Sequence, residues 1–236
     1  MTENPQSTLP PPPPPRMNLA RMFKVWGLLA AAMIVAALAC CWAQAWMVEK
    51  PAPPQGEVLP DTSAIRALVW PDDMAPNRAW RYIVIHHTAT PSATLEAIER
   101  NHIGQGFEGV GYHFVINNGL APGTADGEMT PTDRWVEQRA GAHAKVSNHP
   151  EFNREGIGVC LVGNFEQTPP TPAQMASLEM LVLALADRYD IALDNVVGHG
   201  ELKNTKCPGR LFPLETFLMD MREVRLKQRL QRQAGP

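Results

Sequence analysis

Residues 197–209 read V-G-H-G-E-L-K-N-T-K-C-P-G, and the domain around them is best understood from this loop outward. His199 and Cys207 stand eight residues apart across a polar stretch closed by Pro208 and Gly209, so an imidazole and a thiolate can converge on one zinc ion. Structural zinc usually takes four protein ligands, often as close Cys pairs. Catalytic zinc takes about three and leaves a position open for water. With only two ligands in the loop, a third has to come from elsewhere in the chain.

It comes from the stretch R-Y-I-V-I-H-H-T, residues 81–88. Residues 82–85 are β-rich and continuously apolar, which suits a strand buried on both faces, and the strand ends at His86 and His87. Neighbouring strand residues point to opposite faces, so at most one of the two histidines faces a given site. A second strand is expected over 112–116, Y-H-F-V-I, with Tyr112, Phe114 and Ile116 on one face and His113 on the other. Asn117-Asn118-Gly119 after it is a turn signal. Residues 120–139 read as a long irregular connection, followed by Gly141-Ala142-His143-Ala144. The run 156–164, G-I-G-V-C-L-V-G-N, supplies a central strand in which Cys160 is a small core residue.

Three helices accompany these strands. Ser92 is a plausible cap for a helix over 93–102, with Leu95 and Ile98 inward and His102 at the C-terminal end, a structural position that favours a cation. Thr171-Pro172 opens a helix running to Tyr189, in which Met175, Leu178, Leu181, Val182 and Leu185 form an apolar stripe. A last amphipathic helix spans 214–232, and its basic end reads as a solvated face. Strands alternating with helices define an α/β domain over 78–236.

The N-terminal third has a different composition. Residues 1–15 hold a run of six prolines and too few apolar side chains to fold, so 1–24 is expected to be a disordered Pro-rich cytoplasmic tail. Residues 25–48 are nearly uncharged and, as a helix, long enough to cross about 30 Å of hydrocarbon. Arg16, Arg21 and Lys24 precede this transmembrane helix, and the positive-inside rule then exports everything after Val48. A cleaved signal peptide is the rival, through Ala43-Gln44-Ala45, and a lipid anchor on Cys40 is a further one. Residues 49–77 form a Pro-rich linker, with a short packing segment over 65–70 before a polar loop. The expected location is thus the inner (cytoplasmic) membrane, single-pass, with the catalytic domain on the periplasmic side. The formal net charge is -3 with no strong basic block, so no nucleic-acid partner is expected.

Taken together, I-V-I-H-H-T, G-Y-H-F-V-I, G-A-H-A-K, G-I-G-V-C-L-V-G-N-F, T-P-A-Q-M-A-S-L and G-H-x7-C-P-G resemble, in this order, the zinc N-acetylmuramoyl-L-alanine amidases of the phage-lysozyme and peptidoglycan-recognition-protein type. The resemblance covers about residues 81–211 and implies an α/β fold with a mixed central β-sheet flanked by helices, in agreement with the order of elements above. It implies that His86, His199 and Cys207 bind Zn2+, that Tyr112 is catalytic, that His87 is not a ligand, and that His143 lines the groove for peptidoglycan. Where many members carry Lys two residues before the Cys ligand, this chain has Thr205, with Lys206 next to it. The assisting role then falls to Thr205 or Lys206, and Thr205, which holds the family position, is the expected one.

Two neutral imidazoles and one thiolate leave a coordination position for water, whose pKa falls toward about 7 on zinc. The bond at risk is the lactyl amide joining muramic acid to L-Ala of the stem peptide, and Tyr112 can hydrogen-bond the attacking water or the developing oxyanion. The alternative is a non-catalytic peptidoglycan-binding module anchored to the membrane, as in members that lack the Cys ligand. A scaffold with purely structural zinc would need a fourth ligand, and His143 and Cys160 are better explained as groove and core.

Overall fold

The computed structural model describes residues 62–75, 78–146 and 149–234. The tail, the proposed membrane helix and the spacer up to residue 61 lie outside them. Among the described residues no helix is long and apolar enough to cross a membrane.

Five strands form one mixed sheet: β1 (Tyr82–His87), β2 (Phe114–Asn118), β3 (Asp126–Pro131), β4 (Gly156–Leu161) and β5 (Val196–Gly198), in the order β3-β2-β4-β1-β5. β1 pairs in parallel with β4 and β5, β2 pairs in parallel with β4, and β3 runs antiparallel to β2 at the edge. The helices are α1 (Thr62–Val69), α2 (Leu95–Gly104), α3 (Asp133–Val136), α4 (Glu151–Arg154), α5 (Pro172–Tyr189), α6 (His199–Leu202) and α7 (Leu214–Ala234).

Alternation along the strands sorts the core into two layers. Ile83, Ile85, Phe114, Ile116, Ile157, Val159 and Leu161 pack with Leu178, Leu181, Val182 and Leu185 of α5. On the opposite face Val115 and Val162 meet Ile98 of α2. His86 shares this second face with Gly158 and Cys160, and His87 falls on the first. The expected strand at 156–164 is therefore central, and the sheet is flanked by helices on both sides. The α5 terminus also matches: Thr171 accepts from Gln174 N while the Gln174 side chain accepts from Thr171 N, satisfying two otherwise orphaned donors.

Other expectations need correction. The cap of α2 is Thr94, whose Oγ1 accepts from Ala97 N at 3.3 Å, so the helix starts two residues later than Ser92 implies. β2 starts at Phe114, so Tyr112 lies outside its alternation and packs on the Val115 face, away from Phe114 and Ile116. His113 turns to the other side, 4.8 Å ring to ring from Trp80. The stretch 120–139 is not an irregular connection. It holds β3 and α3, whose Trp135 is fully buried. The linker assigned to 49–77 contains α1, and Val69 at its end is part of the core with Ile65 and Trp70 against it. The packing segment seen in the sequence is thus helical and belongs to the domain.

Candidate metal centre

β1 carries His86 to the C-terminal edge of the sheet, where the turn after β5 and the loop up to Pro208 come alongside. His199 is the first residue of α6, a turn begun when the Glu201 carboxylate accepts from Gly198 N at 2.7 Å. Gly200 N donates to Cys207 O at 2.6 Å, which folds the loop back and brings Cys207 to His199. A Cβ on Gly200 would stand 2.8 Å from that carbonyl, so glycine is required for the close approach.

The ligand atoms of His86, His199 and Cys207 all lie within 4.8 Å of one another, and among the described residues they form the one cluster able to hold a metal. His86 Nδ1 is 3.7 Å from Cys207 Sγ. His199 Nε2 is buried with no hydrogen-bond partner, a costly state for a polar nitrogen that a cation would relieve. Burial, then the neighbouring His143 and His199, hold the His86 pKa well below its ordinary value, so its ring is neutral and keeps a lone pair. Burial likewise lowers His199. Burial pushes the Cys207 thiol up to about 11, while the His87 N–H that donates to Sγ at 3.4 Å pulls the other way. Alone, this thiol keeps its proton near neutral pH. A bound cation displaces that proton, as metal thiolates require. The donor set of two imidazoles and one sulfur suits zinc.

His87 points elsewhere: its Nδ1 accepts from Phe165 N at 3.2 Å and its ring lies 5.6 Å from that of Phe165. A cleft of about 420 Å³ opens over the cluster, lined by Tyr112, Asn164, Glu166, Thr205 and Lys206 among others. The Tyr112 ring is 5.1 Å from that of His86. Burial, followed by the nearby Cys160 and Cys207, raises its pKa well above the ordinary value, so its hydroxyl is a donor and not a base. Thr205 Oγ1 accepts from Cys207 N at 3.4 Å. Lys206 reaches outward, with Nζ 3.7 Å from Glu166 Oε2 and a side chain that is 83% exposed.

His143 lines the floor of the same cleft, largely buried, with Nδ1 3.1 Å from His86 Nε2. Cys160 is fully buried opposite His86 in the β1–β4 register, as a core residue should be. A larger apolar groove of about 610 Å³ lies between α1, α5 and α7, against Trp70, Met180 and Leu183. It brings together no metal-ligating cluster, so the chemistry belongs to the smaller cleft.

The family model for N-acetylmuramoyl-L-alanine amidase matches residues 76–210. The chain belongs to this family. The endolysin of Escherichia phage T7 is 35% identical to this amidase over 134 residues, 53% of this chain and 78% of the endolysin. A peptidoglycan-recognition protein of Drosophila simulans is 28% identical over 139 residues, 55% of this chain and 69% of that protein. The solved structure of an endolysin N-acetylmuramoyl-L-alanine amidase from Clostridium intestinale superimposes with a TM-score of 0.53 at 31% identity, covering 61% of this chain and 84% of the other. This amidase is a hydrolase, and its substrate bond in peptidoglycan is the amide between N-acetylmuramic acid and L-alanine of the stem peptide.

Proposed function

We propose that this amidase works at a zinc ion held by His86, His199 and Cys207. The observation that carries the reading is the convergence of ligand atoms of His86, His199 and Cys207 within 4.8 Å of one another, and the buried His199 Nε2 without a hydrogen-bond partner adds to it. Zinc bound there supplies Lewis acidity, by which water ionises near neutral pH and an amide carbonyl is polarised. The rest falls to side chains. Tyr112, kept protonated, donates to the oxygen on which negative charge grows during attack on the lactyl amide. Thr205, which also lines the cleft, offers a second short donor. Glu166 and Lys206 form a charged rim where the polar stem peptide enters.

Similarity to a peptidoglycan-recognition protein favours a second reading, binding without cleavage. The complete ligand set, Cys207 included, argues for hydrolysis.

The catalytic domain is placed outside the cytoplasm, anchored by a single helix at 25–48 in the inner membrane and spaced from it by the Pro-rich stretch before α1. Arg16, Arg21 and Lys24 on the N-terminal flank support that orientation. Peptidoglycan itself lies on that side of the membrane. Digestion of purified cell wall with and without chelator tests the zinc reading. His86→Ala, His199→Ala and Cys207→Ala should each lose both zinc and turnover, whereas His87→Ala should keep its zinc.

A further inference from the structure

The histidine of Gly141-Ala142-His143-Ala144 sits in a slot made for its ring. A Cβ on Gly158 of β4 would fall 2.4 Å from His143 Cδ2, and one on Gly141 would fall 2.3 Å from the same atom. Only glycine at both positions leaves room for an imidazole between them. The backbone is fixed as firmly: the Asn153 carboxamide accepts from His143 N at 3.0 Å and from Ala144 N at 2.8 Å, and donates to Ala144 O at 3.0 Å.

The ring makes two polar contacts, and together they fix its hydrogens. His143 Nε2 is 3.2 Å from Gly156 O. A carbonyl can only accept, so Nε2 carries the hydrogen and Nδ1 of the neutral ring keeps a lone pair. That Nδ1 lies 3.1 Å from His86 Nε2. Two lone pairs cannot make this contact favourable, so His86 carries its hydrogen on Nε2 and donates it. The remaining lone pair of His86 is then on Nδ1, the nitrogen on the Cys207 side of the ring.

We infer that His143 is a positioning residue that, through the chain Gly156 O, His143, His86, holds His86 in the one tautomer and orientation that present Nδ1 as a metal ligand. The inference rests on the zinc reading above. It gives His143 a task at the metal in addition to its place in the cleft lining. His143 Nδ1 is spent on His86, and His143 is outside the cluster of three ligand atoms, so it is not a fourth ligand. Hydrogen bonds of this kind set ligand orientation and basicity, and losing one costs about ten- to a hundredfold in metal affinity.

The test uses the full-length chain and three readouts: imidazole nitrogen-15 shifts, zinc affinity and the spectrum of the cobalt-substituted protein. In the metal-free wild type, nitrogen-15 imidazole shifts should report a hydrogen on Nε2 of both His86 and His143. A hydrogen on His86 Nδ1 would overturn the inference, whatever the protein does with zinc. His143→Leu keeps much of the volume and removes the acceptor; His143→Asn places Oδ1 near the site of Nδ1. Zinc affinity should fall about ten- to a hundredfold in the Leu variant and stay within about threefold of wild type in the Asn variant. The visible spectrum of the cobalt-substituted protein should change only in the former. Wild-type affinity and spectrum in His143→Leu, with loss of turnover alone, would contradict the inference and return His143 to the substrate. If the wild type itself binds no zinc, the zinc reading fails on its own account, and the nitrogen-15 shifts still decide the tautomer.

Discussion

Gly200 N donates to Cys207 O at 2.6 Å, and this backbone bond ties the turn that carries His199 to the end of the loop that carries Cys207. The two ligands are close because a residue without a side chain stands next to one of them. Gly200→Ala puts a Cβ 2.8 Å from Cys207 O and 3.0 Å from Thr205 O, both backbone atoms that cannot swing aside. Overpacking of this kind costs about 1–3 kcal/mol. The variant should fold but bind zinc about tenfold or more weakly, since 1.4 kcal/mol is a factor of about ten. Zinc competition with a coloured chelator measures it, and undiminished affinity would mean the loop is not held by this contact.

Thr205 and Lys206 compete for one role. Thr205 is on the cleft wall beside Cys207, and Lys206 is directed at Glu166. Thr205→Val should lower kcat by about ten- to a thousandfold, the scale of losing one donor to an oxyanion, with zinc content and KM little changed. Lys206→Ala should matter little. A large loss of kcat only in the Lys206 variant would move the assisting group one residue along the loop.

Stability should fall in mild acid. Burial lowers the His143 pKa from 6.5 to about 3, and it lowers His86 and His113 in the same direction. Between the unfolded value and the folded one, the unfolded chain binds protons that the folded chain refuses, so stability drops as pH falls below 6.5. For His143 alone the loss from pH 7 to pH 5 is roughly 2 kcal/mol. Glu96, Glu151 and Glu166 are lowered from 4.5, so carboxylates add little in that window. Denaturant midpoints of the metal-free protein at the two pH values check this; equal midpoints would show that the buried imidazoles do not resist protonation.

The proposed membrane orientation rests on the charges flanking residues 25–48. A phosphatase reporter that is active only after export, fused after Pro236, should be active, and a fluorescent protein that matures only in the cytoplasm should be dark. The opposite pair of results would place the amidase domain in the cytoplasm, away from peptidoglycan.

Much of this was legible in the sequence because the deciding signals are local. Continuous apolar runs mark β1 and β4, and Thr171-Pro172 with its stripe of leucines marks α5. The ligand loop is legible because His199 and Cys207 are eight residues apart. What stayed hidden depends on distant partners. β3 reads D-G-E-M-T-P, an edge strand of poor intrinsic propensity held by pairing with β2. α1 follows a Pro-rich stretch and gains its place by packing against α5. The alternation of β2 begins only at Phe114, so the face of Tyr112 does not follow from the period of the strand. His143 meets His86 across 57 residues of chain, and no local pattern announces that contact.

On the proposed function, a zinc ion held by His86, His199 and Cys207 cuts peptidoglycan between muramic acid and L-alanine. Mass analysis of the products from purified cell wall decides this. The protein should release stem peptides with a free L-alanine amine and leave glycan strands uncut, and chelation should stop the release until zinc is restored. Cut glycan strands, cleavage within the stem peptide, or undiminished release from a rigorously metal-free preparation would contradict it.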